Sequence, residues 1–263
     1  MTTPAGSQAP HAPRSHAALA DYVERLGDSI ARRAMAIMYA NPFWDDRFGA
    51  RGRRFAEEDG RHHVAYLCEA LRQGSAGSLE RYALWLQSVL TTRGMCSAHL
   101  DENLERIGGI ILSEELPDAH VAVDFLDRAR RALCYDGGAA RELQDASDAI
   151  GVAVRRILES ETPSWRDEWG RDSATRLTAN VEWLVSYLAD AMHLQRDDQL
   201  AGYLAWLADF AARRDVPAKA VTSLLDALGS ALDRLSPAAM SLAADTLSRG
   251  RALAATIQSP AAR

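Results

Sequence analysis

Apolar residues recur three and four positions apart along almost the whole chain, and no segment sustains the every-other-residue alternation of a half-buried strand. The pattern predicts an all-α protein. In the first half, helices are expected near 17–40, 43–49 (short), 53–72, 78–93, 97–113 and 118–134. The breaks between them have local causes. Pro42 cannot extend a helical ladder and pushes its predecessor out of the helical region. Gly74-Ser75-Ala76-Gly77 reads as a loop, with Ser78 as N-cap of the helix that carries Tyr82 and Trp85. Arg93-Gly94 joins a basic last turn to a glycine, a common helix end. Ser97 is placed to cap the helix that follows. The second half repeats the plan near 139–161, 164–170, 174–193, 198–214, 217–234 and 238–257, with Pro217 in a first turn.

The repetition extends to individual residues. Pro42, Trp44, Asp46 and Gly49 recur as Pro163, Trp165, Asp167 and Gly170, Tyr82 and Trp85 as Tyr203 and Trp206, and Arg128 and Arg130 as Arg249 and Arg251. Each pair is separated by the same 121 residues, so the halves align without a gap. Solenoid units repeat every ~20–50 residues, so a period this long indicates a duplicated domain. The chain is expected to divide into a disordered leader over 1–16, a helical domain over 17–136 and a second copy over 137–263, joined at Gly137-Gly138. Six helices per copy, one very short and all joined by brief loops, suggest a globin-like or orthogonal helical bundle.

Aligned halves act as each other's control. The helix over 53–72 is dense in polar residues, and its usual reading is a solvated face. In the second half the matching stripe is Leu177, Asn180, Val181, Leu184, Leu188 and Ala191, an apolar face that belongs in a core. His63 therefore stands where the sister copy has Leu184, and Asp59, where it has Asn180, lies one turn earlier. A buried imidazole needs partners, because each unpaired ring nitrogen costs about 1–3 kcal/mol. His63 is read either as a core histidine satisfied by Asp59, Tyr66 or Tyr82, or as one face of a pocket confined to the first half. On the second reading the ligand-binding residues are His63, Asp59, Tyr66, Tyr82 and Trp85. The repeated Tyr-x-x-Trp pairs read as core packing or as walls for a flat ligand.

Charge and composition narrow the rest. A net charge of −6, with basic residues interspersed among acids, argues against electrostatic binding of nucleic acid. Cys68, Cys96 and Cys134 are too scattered for a disulfide framework, and the longest apolar runs fall well short of the ~20 residues of a membrane helix, so a cytoplasmic location is expected. His62 and His63 point about 100° apart on a helix and cannot share one ion. Cys96-x-x-His99 has metal-ligand spacing without a second pair nearby, so no metal site is expected. No phosphate loop, nucleophile elbow or His-Glu-x-x-His motif occurs. The only acid–base candidate is the cluster of Glu57, Glu58, Asp59 and His63, whose members leave the helix in different directions.

The run Pro42-Phe43-Trp44, Arg47-Phe48-Gly49-Ala50-Arg51-Gly52-Arg53, Glu58-Asp59 and His63-x-x-Tyr66-Leu67, followed by Tyr82-x-x-Trp85 and Arg93-Gly94, resembles a helical module of bacterial regulators. That module stands alone or accompanies cobalamin-binding or signalling domains. Its helix plan is similar to the globin-like sensory domains, namely the non-haem N-terminal globins of stress-signalling complexes and the phycobilisome proteins. The resemblance implies a sensory, regulatory or adaptor role without catalysis, a protein partner or homo-oligomer, and a tetrapyrrole such as haem or bilin as the alternative ligand. His63 would then be the haem iron ligand.

Overall fold

The computed structural model describes residues 16–170 and 173–258, the side chains of 173–179 excepted. The chain is all-α, with no strand among the described residues. The leader expected over 1–16 lies outside the described residues apart from His16, which begins the first helix. The elements are α1 (His16–Tyr39), α2 (Pro42–Gln73), α3 (Gly77–Thr91), α4 (Ser97–Ser113), α5 (Ala119–Ala132), α6 (Gly138–Asp145), α7 (Ser147–Glu161), α8 (Trp165–Trp169), α9 (Ser173–Leu194), α10 (Asp197–Ala212), α11 (Ala218–Ala231) and α12 (Pro237–Gln258), with a 3-10 turn at Leu232–Arg234.

The two helices expected at 43–49 and 53–72 are both present within the span of α2, parted at Gly49, whose φ of 61° and ψ of −164° are non-helical. The start of α2 is fixed locally. Asn41 accepts a hydrogen bond from the Phe43 N–H at 3.1 Å, and Pro42 occupies the first turn, where its missing N–H costs nothing. In the second half Gly170, at φ 84° and ψ −177°, ends α8 in the same way before α9. The single helix expected at 139–161 is interrupted at Ala146, giving α6 and α7. Two expected caps fall elsewhere. Ser78 lies inside α3, whose N-cap is Ala76, and α4 is capped from Cys96, leaving the Ser97 hydroxyl for a longer-range bond.

Buried apolar side chains form two clusters. One is confined to the first half, built around Leu67, Leu71, Leu100, Leu104 and Ile107. The other fills the second half and also takes in Met35, Met38, Tyr39, Phe43 and Trp44. The end of α1 and the start of α2 therefore pack against the second half's core. Where α1 and α2 cross, a Cβ on Gly60 would stand 3.2 Å from the Ala31 Cβ, so glycine permits the close approach.

A polar joint reinforces the contact. Asp190, buried on α9, accepts from the Ser97 N–H at 2.8 Å, the Ser97 hydroxyl at 2.6 Å and the Tyr135 hydroxyl at 2.6 Å. The Ala98 N–H donates to Ser186 Oγ at 3.0 Å, and the Tyr187 hydroxyl donates to the Gly94 carbonyl at 2.6 Å. On the other side, Arg47 donates to the Gly202 carbonyl at 3.2 Å, Trp206 Nε1 donates to the Asp46 carbonyl at 3.4 Å, and Arg214 pairs with the Asp46 carboxylate.

Candidate functional site

A cavity lies in the first half, between the end of α1, the kinked part of α2, the loop that leaves α3 and the start of α4. Its volume is about 530 Å³, within the ~300–1,000 Å³ usual for small-molecule sites. Arg51, Phe55 and Arg93, all exposed, stand at its mouth. Inside, Met38, Trp44, Phe48, Leu90 and Leu100 make an apolar wall, and His63, His99 and Asn103 contribute polar groups.

Those polar groups are incompletely satisfied. His99, fully buried, accepts from the Cys96 N–H through Nδ1 at 3.4 Å, which places the ring proton on Nε2. That Nε2 has no partner, and neither has Trp44 Nε1 nor Asn103 Oδ1. Two donors and one acceptor thus stand unpaired in the wall of a largely apolar chamber, each closed off from its open space, and each such group costs about 1–3 kcal/mol. The aromatic rings of Phe43, Trp44 and Trp183, with centroids 4.9–5.3 Å from the His99 ring, hold it in place. Burial, with a smaller contribution from Arg47, lowers the His99 pKa to about 3. The ring is therefore a neutral N–H donor at physiological pH.

His63 also lines the cavity. Its Nδ1 lies 2.8 Å from the Tyr82 hydroxyl, so of the partners expected from sequence the structure selects Tyr82 and brings neither Asp59 nor Tyr66 to the ring. Burial first, then the neighbouring His62, lowers the His63 pKa to about 3. A base this weak is poorly matched to proton transfer near neutrality. Asp59 lines the cavity half-buried, and burial raises its pKa.

Comparison with protein-family models, with curated proteins and with solved structures finds no match to this chain. The site is therefore read from its own geometry.

Of the five residues singled out from sequence, the cavity unites Asp59 and His63. Tyr66, Tyr82 and Trp85 line a separate surface cleft of about 280 Å³ with Ser78 and Arg81. Tyr82 separates the two sites, its ring in the cleft and its hydroxyl on His63. Trp85 is 58% exposed, which overturns core packing as its role. Among the described residues no group of three or more His, Cys, Asp or Glu is placed to hold a metal ion. None of the cavity-lining residues is a cysteine. No described helix is long and apolar enough to cross a membrane.

Sequence reasoning missed His99, Asn103 and Trp44 Nε1. The first two carried the same signal as His63: shifting by 121 puts Ala220 opposite His99 and Leu224 opposite Asn103. Judging His99 only by its spacing from Cys96 hid that contrast. In the second half Leu184, Ala220 and Leu224 are all buried core residues.

Proposed function

We propose that the protein is a non-enzymatic, cytoplasmic sensory or adaptor protein made of two tandem copies of one globin-like or orthogonal helical bundle, the first of which binds a small ligand. The helix bounds support the duplication. Shifted by 121, α2 becomes 163–194, the span of α8 and α9, and α4 becomes 218–234, the span of α11 and the 3-10 turn. The observation that carries the ligand reading is the cavity interior: Trp44 Nε1, His99 Nε2 and Asn103 Oδ1 are buried and unpaired, while the second half has Ala220 and Leu224 in place of the latter two.

The chemistry suits a largely apolar molecule of modest size whose entry turns the wall side chains toward it, with an oxygen acceptor for the two N–H donors and a hydrogen-bond donor for Asn103. Ligand contact with His99 would act two residues from Ser97, whose N–H and hydroxyl bind Asp190 of the second half. That adjacency offers a physical route from occupancy to the joint, as sensing requires.

The test is a thermal-shift screen of aliphatic and aromatic carbonyl compounds against the wild type and Asn103→Leu, which installs the second half's residue. A ligand present at 100 times its Kd stabilises by about 2.7 kcal/mol. The expected result is a raised Tm in the wild type that is lost in Asn103→Leu. If no compound raises Tm, or if the shift survives the substitution, the ligand reading fails.

Haem is the second reading, favoured by one feature. A metal-bound histidine usually donates its other ring N–H to a fixed partner, and Tyr82 stands where it would receive that proton from His63 Nδ1. His63 would hold the iron, which would supply a site for a diatomic ligand, while Arg51 and Arg93 at the mouth suit the propionates. Protein expressed with haem supply should show a Soret band that His63→Leu abolishes. A colourless protein rejects this reading and leaves the first intact.

A further inference from the structure

The two halves carry the same aromatic ladder, and only one ladder is covered. In the second half Tyr187 stacks on Tyr203 with centroids 4.3 Å apart, and Trp206 follows at 5.8 Å. In the first half Tyr66 stacks on Tyr82 at 3.8 Å, and Trp85 follows at 6.0 Å. The second-half ladder is the seat of the start of α2. The Arg47 guanidinium lies 5.4 Å from the Trp206 ring centre, Trp206 Nε1 bonds the Asp46 carbonyl, and Arg214 pairs with Asp46. The first-half ladder has no such cover: Tyr66 is 42% and Trp85 58% exposed, beside the cleft of about 280 Å³.

We infer that the open Tyr66–Tyr82–Trp85 ladder is a docking surface for a second copy of this chain, which presents α8 as the first half presents the start of α2. The docking surface follows from the correspondence between the halves, and it shares Arg93 with the mouth of the cavity. Charge complementarity argues for this occupant. Arg214 has Arg93 as its equivalent and Asp46 has Asp167; both equivalents are exposed, and neither makes an ion pair within the chain among the described residues, although Asp59 acts on Arg93 at longer range. A second copy would unite them as Arg214 and Asp46 are united. Trp85 Nε1 would find the Asp167 carbonyl, as Trp206 finds that of Asp46.

The joint would be weaker than the internal one. Phe43 is replaced by Ser164 and Trp183 by His62, so two apolar partners are lost, and Arg47 is replaced by Glu168. Glu168 is held within its own chain by Lys219 at 2.8 Å and by the Ser164 hydroxyl at 2.9 Å, so it brings no free charge to Arg81, which stands where Gly202 does. The contact is heterologous, each chain offering a different surface at its two ends, so it propagates head to tail unless the rotation closes a ring.

Sedimentation velocity of the full chain over a wide concentration range tests this. The wild type should associate reversibly, whereas Trp85→Ala and Asp167→Arg should each weaken association at least ~tenfold, since like charges brought together are strongly unfavourable. Both sites are exposed, and circular dichroism checks that each variant is folded. Mixing the two variants should restore a one-to-one dimer and nothing larger, because the first retains an intact α8 and the second an intact ladder. A wild type that stays monomeric throughout, or a Trp85→Ala variant that associates like the wild type, overturns the proposal. Neither result bears on the cavity, which the thermal-shift screen reads separately.

Discussion

At the scale of single residues, the two buried histidines set a pH signature. His63 and His99 are each lowered from an ordinary value of 6.5 to about 3, chiefly by burial. As pH falls below 6.5 the unfolded chain takes up these protons before the folded one does. The stability they leave intact above pH 6.5 is therefore lost progressively toward pH 3, by up to about 1.4 kcal/mol per pH unit for each group. Burial raises Asp59 and Asp190, which works in the opposite sense, because a raised carboxyl favours the fold as it protonates. The difference between the wild type and His63→Leu isolates one imidazole. Urea unfolding at a series of pH values should show a shallower acid decline in the variant, and parallel curves would contradict a neutral His63. His63 was legible because leucine faces it in the other half, and its burial followed. Its partner was not, because helical phase fixes the direction of a side chain but not which of three nearby polar groups reaches it.

At the scale of elements, periodicity and capping residues located most helices to within a few residues, and the departures are instructive. Pro42 and Asn41 mark the start of α2 by local chemistry that any chain would obey. Both halves break at the matching glycine, Gly49 at φ 61° and ψ −164° and Gly170 at φ 84° and ψ −177°. Gly49 combines positive φ with extended ψ, a conformation strained for any residue with a Cβ. Gly49→Ala should cost about 1–3 kcal/mol in urea unfolding. Gly109 is the contrast, exposed in α4 with open space around the point where a Cβ would stand. Gly109→Ala should instead stabilise by about 0.4–1 kcal/mol. Equal effects at the two glycines would refute the conformational assignment at Gly49.

At the scale of the whole molecule, Asp190 ties the halves together. Removing its carboxylate would strand the Ser97 N–H, the Ser97 hydroxyl and the Tyr135 hydroxyl in a buried joint. Asp190→Ala should destabilise by several kcal/mol, since each stranded buried donor costs about 1–3 kcal/mol. Asp190→Asn, which keeps an acceptor, should cost less. Denaturation followed by tryptophan fluorescence and by circular dichroism should give separate midpoints in the alanine variant if the halves uncouple, and coincident midpoints with little loss would show the joint to be dispensable. The all-helical class was plain in the hydrophobic pattern. The joint was not, since nothing in the sequence marks Ser97 as reaching for Asp190 rather than capping its own helix.

The polar residues of the proposed ligand site, His99 and Asn103, have Ala220 and Leu224 at the matching positions of the second half, so the proposal sets a stoichiometry. Each chain carries one such pair but two aromatic ladders, so saturation is expected at one equivalent per chain whether the protein is alone or assembled. A calorimetric titration would count chains and would be blind to the length of the assembly they form.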